Sequence, residues 1–294
     1  GPGVAVPVVA PAPVSRLVLR VARVRGTELR FVERGSGTPV VLVHGSLETW
    51  ESWLRQVDAF ASTFRVIAYS RRYHPPNATR PDGQAYALAL HADDLIALLE
   101  ALGLERVHLV GSGYGAYVAL LVTLRRPDLV RSLVLGEPPI LPWLSRTPAG
   151  DSLRRTFEGG TVAPVRQALA RGDSVEALRR FWDGVSGRPG RFDALPEPAR
   201  AGLLRSALEL RLEMSADPAV YMPPLSCTDV GRIRNAVLVV IGERSPRLYR
   251  LVTEELARCL PAAEMATVPG AGYSSHADNP AAYDAVVFRF LTRN

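Results

Sequence analysis

Lysine is absent from the chain: all 35 permanently basic side chains among its 294 residues are arginines. They are scattered, some in pairs such as Arg71-Arg72, Arg125-Arg126 and Arg179-Arg180, with acids between them. A net charge of +6 therefore carries no clustered basic face of the kind nucleic acid requires, and nucleic acid is excluded as a partner. Arginine without lysine, beside heavy use of Ala and Pro, reads as the codon bias of a GC-rich genome. No apolar run approaches the ~18 residues that span a bilayer, so no membrane partner is expected. Residues 1–13 lack a basic start followed by an apolar stretch, so they do not read as a secretion signal. Gly1-Pro2 has the look of a protease scar, and residues 1–14 are expected to be a loose tail. The five histidines are scattered without paired spacing, which argues against a metal centre. Cysteine is nearly missing too. Cys227 and Cys259 lack metal-type spacing and are expected to be unpaired thiols, which suggests a reducing, cytoplasmic setting.

What is present is ordinary for a globular protein: 47% apolar and 22% charged residues. Leu17 to Val24 and Glu28 to Val32 alternate at period two around Gly26 and predict an antiparallel hairpin. Val40 to Val43, Arg65 to Tyr69, Val107 to Val110, Leu129 to Leu135, Ala236 to Ile241 and Glu264 to Val268 read as buried strands. Helical stretches fall between them, at Trp50 to Phe60, Tyr86 to Leu102, Tyr117 to Leu124 and Arg247 to Cys259. Asn279-Pro280 supplies an N-cap and a first-turn proline for a closing helix through Leu291. Alternating strands and helices predict a mainly parallel sheet of the α/β class. The stretch from about Pro138 to Arg234 interrupts that rhythm with helical patterns alone (Val162 to Ala170, Val175 to Trp182, Pro198 to Met214). It is expected to be a helical cap over 138–234, inserted into a core of 15–137 and 235–294. No internal repeat is visible.

The most informative stretch is Val110-Gly111-Ser112-Gly113-Tyr114-Gly115-Ala116, a strand, a glycine-rich turn and a helix start. It resembles the nucleophile elbow G-x-S-x-G of α/β-hydrolases. His44-Gly45, a capping region and Gly270-Ala271-Gly272 fall in the matching order. The stretch Tyr69-Ser70-Arg71-Arg72-Tyr73-His74 with Pro76-Asn77 looks like a capped bacterial branch of that superfamily. The resemblance implies an eight-stranded, mostly parallel sheet flanked by helices.

It also exposes two departures. Aligned on Gly111 and Gly115, the apex is Gly113, which has no side-chain atom with which to attack. Ser112 lies one residue out of register. The family's histidine position, after the last strand, is occupied by Tyr273, and His276 resembles a second histidine of that loop that points elsewhere. A phenol with an ordinary pKa of ~10 is a poor base at neutral pH. Two simultaneous losses argue for a natural departure rather than an engineered knockout, which is usually a single Ser→Ala change. The triad acid survives as either Glu137 or Glu243.

What remains implies a pocket. The backbone N–H groups of Ser46 and Tyr114 would form an oxyanion-type site. Glu137 would be a desolvated acid or base, Tyr273 a hydrogen-bond donor, and His74 a spare titratable group. Gly45, Leu47, Trp143, Phe181, Trp182 and Tyr221 are expected to line the cavity, together with some of Trp50, Trp53, Phe157 and Met222. The glycine-rich turn lies too far along the sheet order to hold a dinucleotide, and no cofactor is inferred. Three readings stay open. One is a biosynthetic cyclase, isomerase or lyase of secondary metabolism acting on an apolar, polyketide- or terpenoid-like molecule. The others are an inactive ligand-binding protein and a hydrolase with relocated acid–base groups. A monomer or homodimer is expected.

Overall fold

The computed structural model describes residues 16–78 and 80–294, so the expected tail at 1–14 lies outside the described residues. Eight strands are described: β1 (Arg20–Val24), β2 (Thr27–Arg34), β3 (Pro39–Val43), β4 (Arg65–Tyr69), β5 (Val107–Ser112), β6 (Val130–Gly136), β7 (Ala236–Gly242) and β8 (Ala263–Val268). They form one sheet in the order β1-β2-β4-β3-β5-β6-β7-β8. β1, β2 and β4 pair antiparallel, and every pairing from β4–β3 onward is parallel. This is the sheet that the sequence predicted.

Period-two alternation sends successive strand residues into two cores. Val41 and Val43, Leu133 and Leu135, and Val237 and Val239 face one side. Val40 and Leu42, Val134, and Leu238 and Val240 face the other. Helices α1 (Leu54–Phe60), α2 (Leu88–Ala101) and α3 (Tyr114–Arg125) follow β3, β4 and β5. Each core side chain is fully enclosed, worth roughly 1.5–3 kcal/mol per Val or Leu relative to exposure.

Between β6 and β7 every described helix or strand is helical: α4 (Pro148–Phe157), α5 (Ala163–Ala170), α6 (Ser174–Ser186), α7 (Glu197–Leu204), α8 (Ala207–Ser215), α9 (Pro218–Tyr221) and α10 (Cys227–Val230). The single helix expected over Pro198 to Met214 is in fact α7 and α8. The chain tightens at Arg205 and Ser206, whose N–H groups bond three residues back, to Gly202 and Leu203, at 3.2 and 2.9 Å. The break re-aims α8, so that Glu209 and Glu213 face the end of β3. The chain closes with α11 (Arg247–Cys259), α12 (Ser275–Asp278) and α13 (Pro280–Arg293). Asn279 caps α13 as expected, accepting from Ala282 N at 3.3 Å.

The cysteine expectation is corrected. Cys227 and Cys259 form a disulfide, their Cα atoms 5.1 Å apart. The sequence separation of 32 hid the proximity, because α10 packs against α11 only in the folded chain. The inference of a reducing, cytoplasmic setting loses its basis with it. In the denatured, unreduced protein a thiol reagent should titrate no free cysteine; two thiols per chain would contradict the pairing.

Candidate functional site

The elbow is set by close backbone approach. A Cβ at Gly115 would lie 2.2 Å from the Val43 carbonyl oxygen, and one at Gly111 would lie 2.5 Å from Ala116 Cα. Only glycine lets α3 start against the end of β3. At the apex, Gly113 has φ 56 and ψ −127, and its N–H donates to Gly136 O at 2.8 Å. Ser112 is the last residue of β5, paired with Gly136.

Above the apex lies a cavity of about 400 Å³. Gly45, Ser46, Ser112 and Gly113 line it from the sheet side, and Phe157, Phe181, Trp182, Met214, Tyr221 and Met222 from the helices between β6 and β7. A widened helical turn at Glu158–Val162 joins α4 to α5 and brings Phe157 and Val162 to the cavity wall.

Tyr273 lines the cavity and stacks on Tyr249, ring centroids 4.0 Å apart. A Cβ built on Gly113 would fall 2.9 Å from the Tyr273 hydroxyl. The phenol thus occupies the room that an apex side chain would need. That hydroxyl makes no hydrogen bond among the described residues, and burial pushes its pKa well above the ordinary value. A phenol so held stays protonated.

Glu137 is 1% exposed and sits directly after β6 with φ 49, a left-handed conformation that costs a non-glycine residue roughly 1–2 kcal/mol. Its Oε2 accepts from Gly242 N at 3.3 Å. Burial raises its pKa to about 8, opposed by Ser245 and the Gly242 N–H. It lies behind Tyr249 and Tyr273, raising the pKa of each, and does not itself line the cavity. Glu243, the other candidate acid, is exposed and accepts from Gly270 N at 2.6 Å.

Five residues considered for the site lie elsewhere. His74 is fully buried, its Nδ1 bonded to Glu48 O at 2.9 Å, and burial holds it neutral by lowering its pKa. Leu47 turns into the cluster of Leu178, Phe181 and Leu210. Trp143 donates its indole N–H to Leu225 O at 2.6 Å and packs in the main core. Trp50 and Trp53 belong to the opposite core, where Trp53 stacks on His276 at 4.2 Å. The N–H groups of Ser46 and Tyr114 donate to no protein group among the described residues; Ser46 lines the cavity, and Tyr114, 1% exposed, does not.

Sequence reasoning passes over the buried charges. Arg71 is 1% exposed and donates to His44 O at 3.0 Å, Gly45 O at 3.1 Å and the Tyr86 hydroxyl at 3.3 Å. Glu209 and Glu213 on α8 are 0% and 2% exposed. Glu213 lines the cavity and accepts from Ser46 Oγ at 2.5 Å and from the Tyr221 hydroxyl. A faint signal was available: Leu208, Leu210, Leu212 and Met214 surround the two acids, leaving them no solvated helix face. Among the described residues no group of three or more His, Cys, Asp or Glu could hold a metal ion, and no helix is long and apolar enough to cross a membrane.

A family profile described as alpha/beta hydrolase fold matches residues 38–183. Bifunctional epoxide hydrolase 2 of Sus scrofa is 33% identical over 118 residues, which is 40% of this chain and only 21% of that protein. The chain thus spans about a fifth of that relative. Epoxide hydrolase A of Mycobacterium tuberculosis is 31% identical over 213 residues, 64% of each chain. The crystal structure of carboxylesterase CesB from Bacillus subtilis superimposes with a TM-score of 0.71 at 17% identity, over 96% of this chain and 93% of that one.

The pKa of Glu137 carries a stability signature. Because its folded value is raised from 4.5 to about 8, the stability permitted by the neutral acid is complete below the lower value and is lost as pH rises toward the upper one. The melting temperature should fall across that window, and Glu137→Gln, neutral throughout, should fall less. The gap should reach several degrees, at roughly 2–4 °C per kcal/mol for a chain of this size. Parallel melting curves for the two proteins would contradict the buried acid.

Proposed function

Because the chain belongs to the α/β-hydrolase superfamily but carries Gly113 and Tyr273 where its chemistry needs a nucleophile and a base, we propose that it is a non-hydrolytic enzyme. It binds an apolar small molecule, polyketide- or terpenoid-like, and promotes cyclisation, isomerisation or elimination. Residues 138–234 act as the cap over that ligand, and the protein works as a monomer or homodimer without a cofactor.

One observation carries the reading: the Tyr273 hydroxyl stands 2.9 Å from where an apex side chain would begin. An acyl-enzyme needs an attacking atom there and a base within hydrogen-bond reach of it. Here a phenol closes the position instead. The remaining parts suit a reaction within one molecule. The free N–H groups of Ser46 and Tyr114 and the Tyr273 hydroxyl supply donors for a developing oxyanion. The aromatic wall of Phe157, Phe181, Trp182 and Tyr221 folds an apolar chain by shape. Holding two ends of one substrate together contributes up to ~7–11 kcal/mol in ideal cases, so ring closure does not require a nucleophile. Glu137 acts through Tyr249 and Tyr273 as a positioning residue.

The relatives named as hydrolases share the fold, and the proposal rests on where this chain departs from their chemistry. Restoring the missing parts should therefore restore it. The double change Gly113→Ser with Tyr273→His should gain hydrolysis of a short p-nitrophenyl ester, at least tenfold above the wild-type protein. Gly113→Ser alone should gain nothing, because the new Cβ meets the phenol and the positive φ strains it. Wild-type ester turnover that disappears in Ser112→Ala would overturn the reading.

A further inference from the structure

The cavity holds one feature that the triad positions do not explain, the carboxyl pair of α8. Glu209 and Glu213 lie one helical turn apart, so their side chains share a face. Their neighbours come from every element packed there: Arg71 after β4, Tyr86 before α2, Tyr114 on α3, Tyr221 on α9, and the neutral His74 beyond Glu209, at 3.5 Å. Arg71 is the buried guanidinium that acts on both members of the pair; Arg154 and Arg166 line the cavity as well, bonded to Asp151 and to Met214 O. Two buried carboxylates against one guanidinium leave an unbalanced charge, so the pair retains a proton.

The hydrogen bonds locate that proton. Glu209 Oε1 accepts from the Tyr86 hydroxyl at 2.7 Å, and its Oε2 accepts from Leu47 N at 3.1 Å. Glu213 Oε1 accepts from Ser46 Oγ and from Tyr221. Glu213 Oε2 alone is buried with no partner. A carboxylate oxygen left without a donor at that depth is costly, whereas a protonated one becomes a donor itself.

We propose that Glu213 is the proton donor of the cavity, its Oε2 carrying the one proton of the Glu209–Glu213 pair, and that it serves an apolar ligand bearing a carbonyl oxygen. This rests on the non-hydrolytic reading above. Burial and the charge of Glu213 raise the pKa of Glu209, and burial raises that of Glu213 against the hydrogen bonds of Ser46, Tyr221 and Glu209. In a keto–enol isomerisation Glu213 gives its proton to the ligand oxygen, forming the O–H bond from the C=O π pair. The neighbouring C–H bond breaks, its electrons become the C=C bond, and its proton returns to the pair. Nothing is consumed. Glu209, held by Tyr86 and Leu47, is the positioning residue that keeps the proton on its neighbour.

Infrared spectroscopy of the full chain with two probes, naphthalene and carbonyl-labelled 2-acetylnaphthalene, tests this. Wild-type protein should bind both, and the bound ketone's carbonyl band should lie below its position in hexane. Glu213→Leu should move the band back toward its hexane position, further than Tyr273→Phe does, and should lose the preference for ketone over naphthalene by about threefold to tenfold. A band unshifted in wild type, or lost only in Tyr273→Phe, overturns the role of Glu213 while leaving the cavity standing. Failure to bind naphthalene overturns the apolar-ligand reading instead. The ligand-free protein then decides the proton. Near neutral pH it should show the protonated-carboxyl band of Glu137, removed by Glu137→Gln, and a second one removed by Glu213→Gln; absence of the second overturns the proposal.

Discussion

The structure of the site depends on one close approach, that of the first turn of α3 to the end of β3. With a carbonyl oxygen 2.2 Å from where a Gly115 Cβ would lie, no larger residue lets strand, turn and helix meet. That approach fixes Gly113 at the cavity floor, with its backbone in a conformation that L residues rarely adopt. It also leaves the Tyr114 N–H at a helix start, where no turn precedes it to accept the bond. A Cβ added at Gly113 would fall 2.9 Å from the Tyr273 hydroxyl. The phenol of Tyr273 fills the space.

Charge is organised around a second constraint, the burial of Arg71. Its guanidinium donates to the carbonyls of His44 and Gly45, tying the loop after β3 to the loop after β4. Through the Tyr86 hydroxyl it also reaches Glu209 on α8. The sheet and the helices inserted between β6 and β7 therefore meet through a polar network as well as the apolar cluster of Leu47, Leu178 and Phe181. A network of this kind fixes the position of α8 and orients its acids, with Glu213 Oε2 left without a partner. Glu137, behind the paired rings of Tyr249 and Tyr273, is a separate buried acid on the far side of the apex.

The sheet was legible because buried strands declare themselves as short Val- and Leu-rich runs, and the elbow because glycine is required where backbones touch. Gly113, Tyr273 and Glu137 were singled out from their places in that order, and the structure brings Gly113 and Tyr273 together at the cavity. The disulfide was not, because the spacing of Cys227 and Cys259 does not show that α10 packs on α11. Leu47 and Trp143 were misjudged because proximity to the site in sequence does not say which way a side chain turns; both point into packed clusters. Arg71 was noticed as part of a motif, but its burial depends on carbonyls brought from another loop. Glu209 and Glu213 were missed altogether. An acid pair on a helix ordinarily marks a solvated face, and the kink at Ser206 that turns it inward has no local signature.

The central claim, that this cavity has lost nucleophilic chemistry and kept its shape and donors, is tested most directly by intact-protein mass after exposure to excess fluorophosphonate. The account predicts an unmodified wild-type mass. An adduct on a cavity serine, Ser112 or Ser46, would mean that a nucleophile operates there and would contradict it.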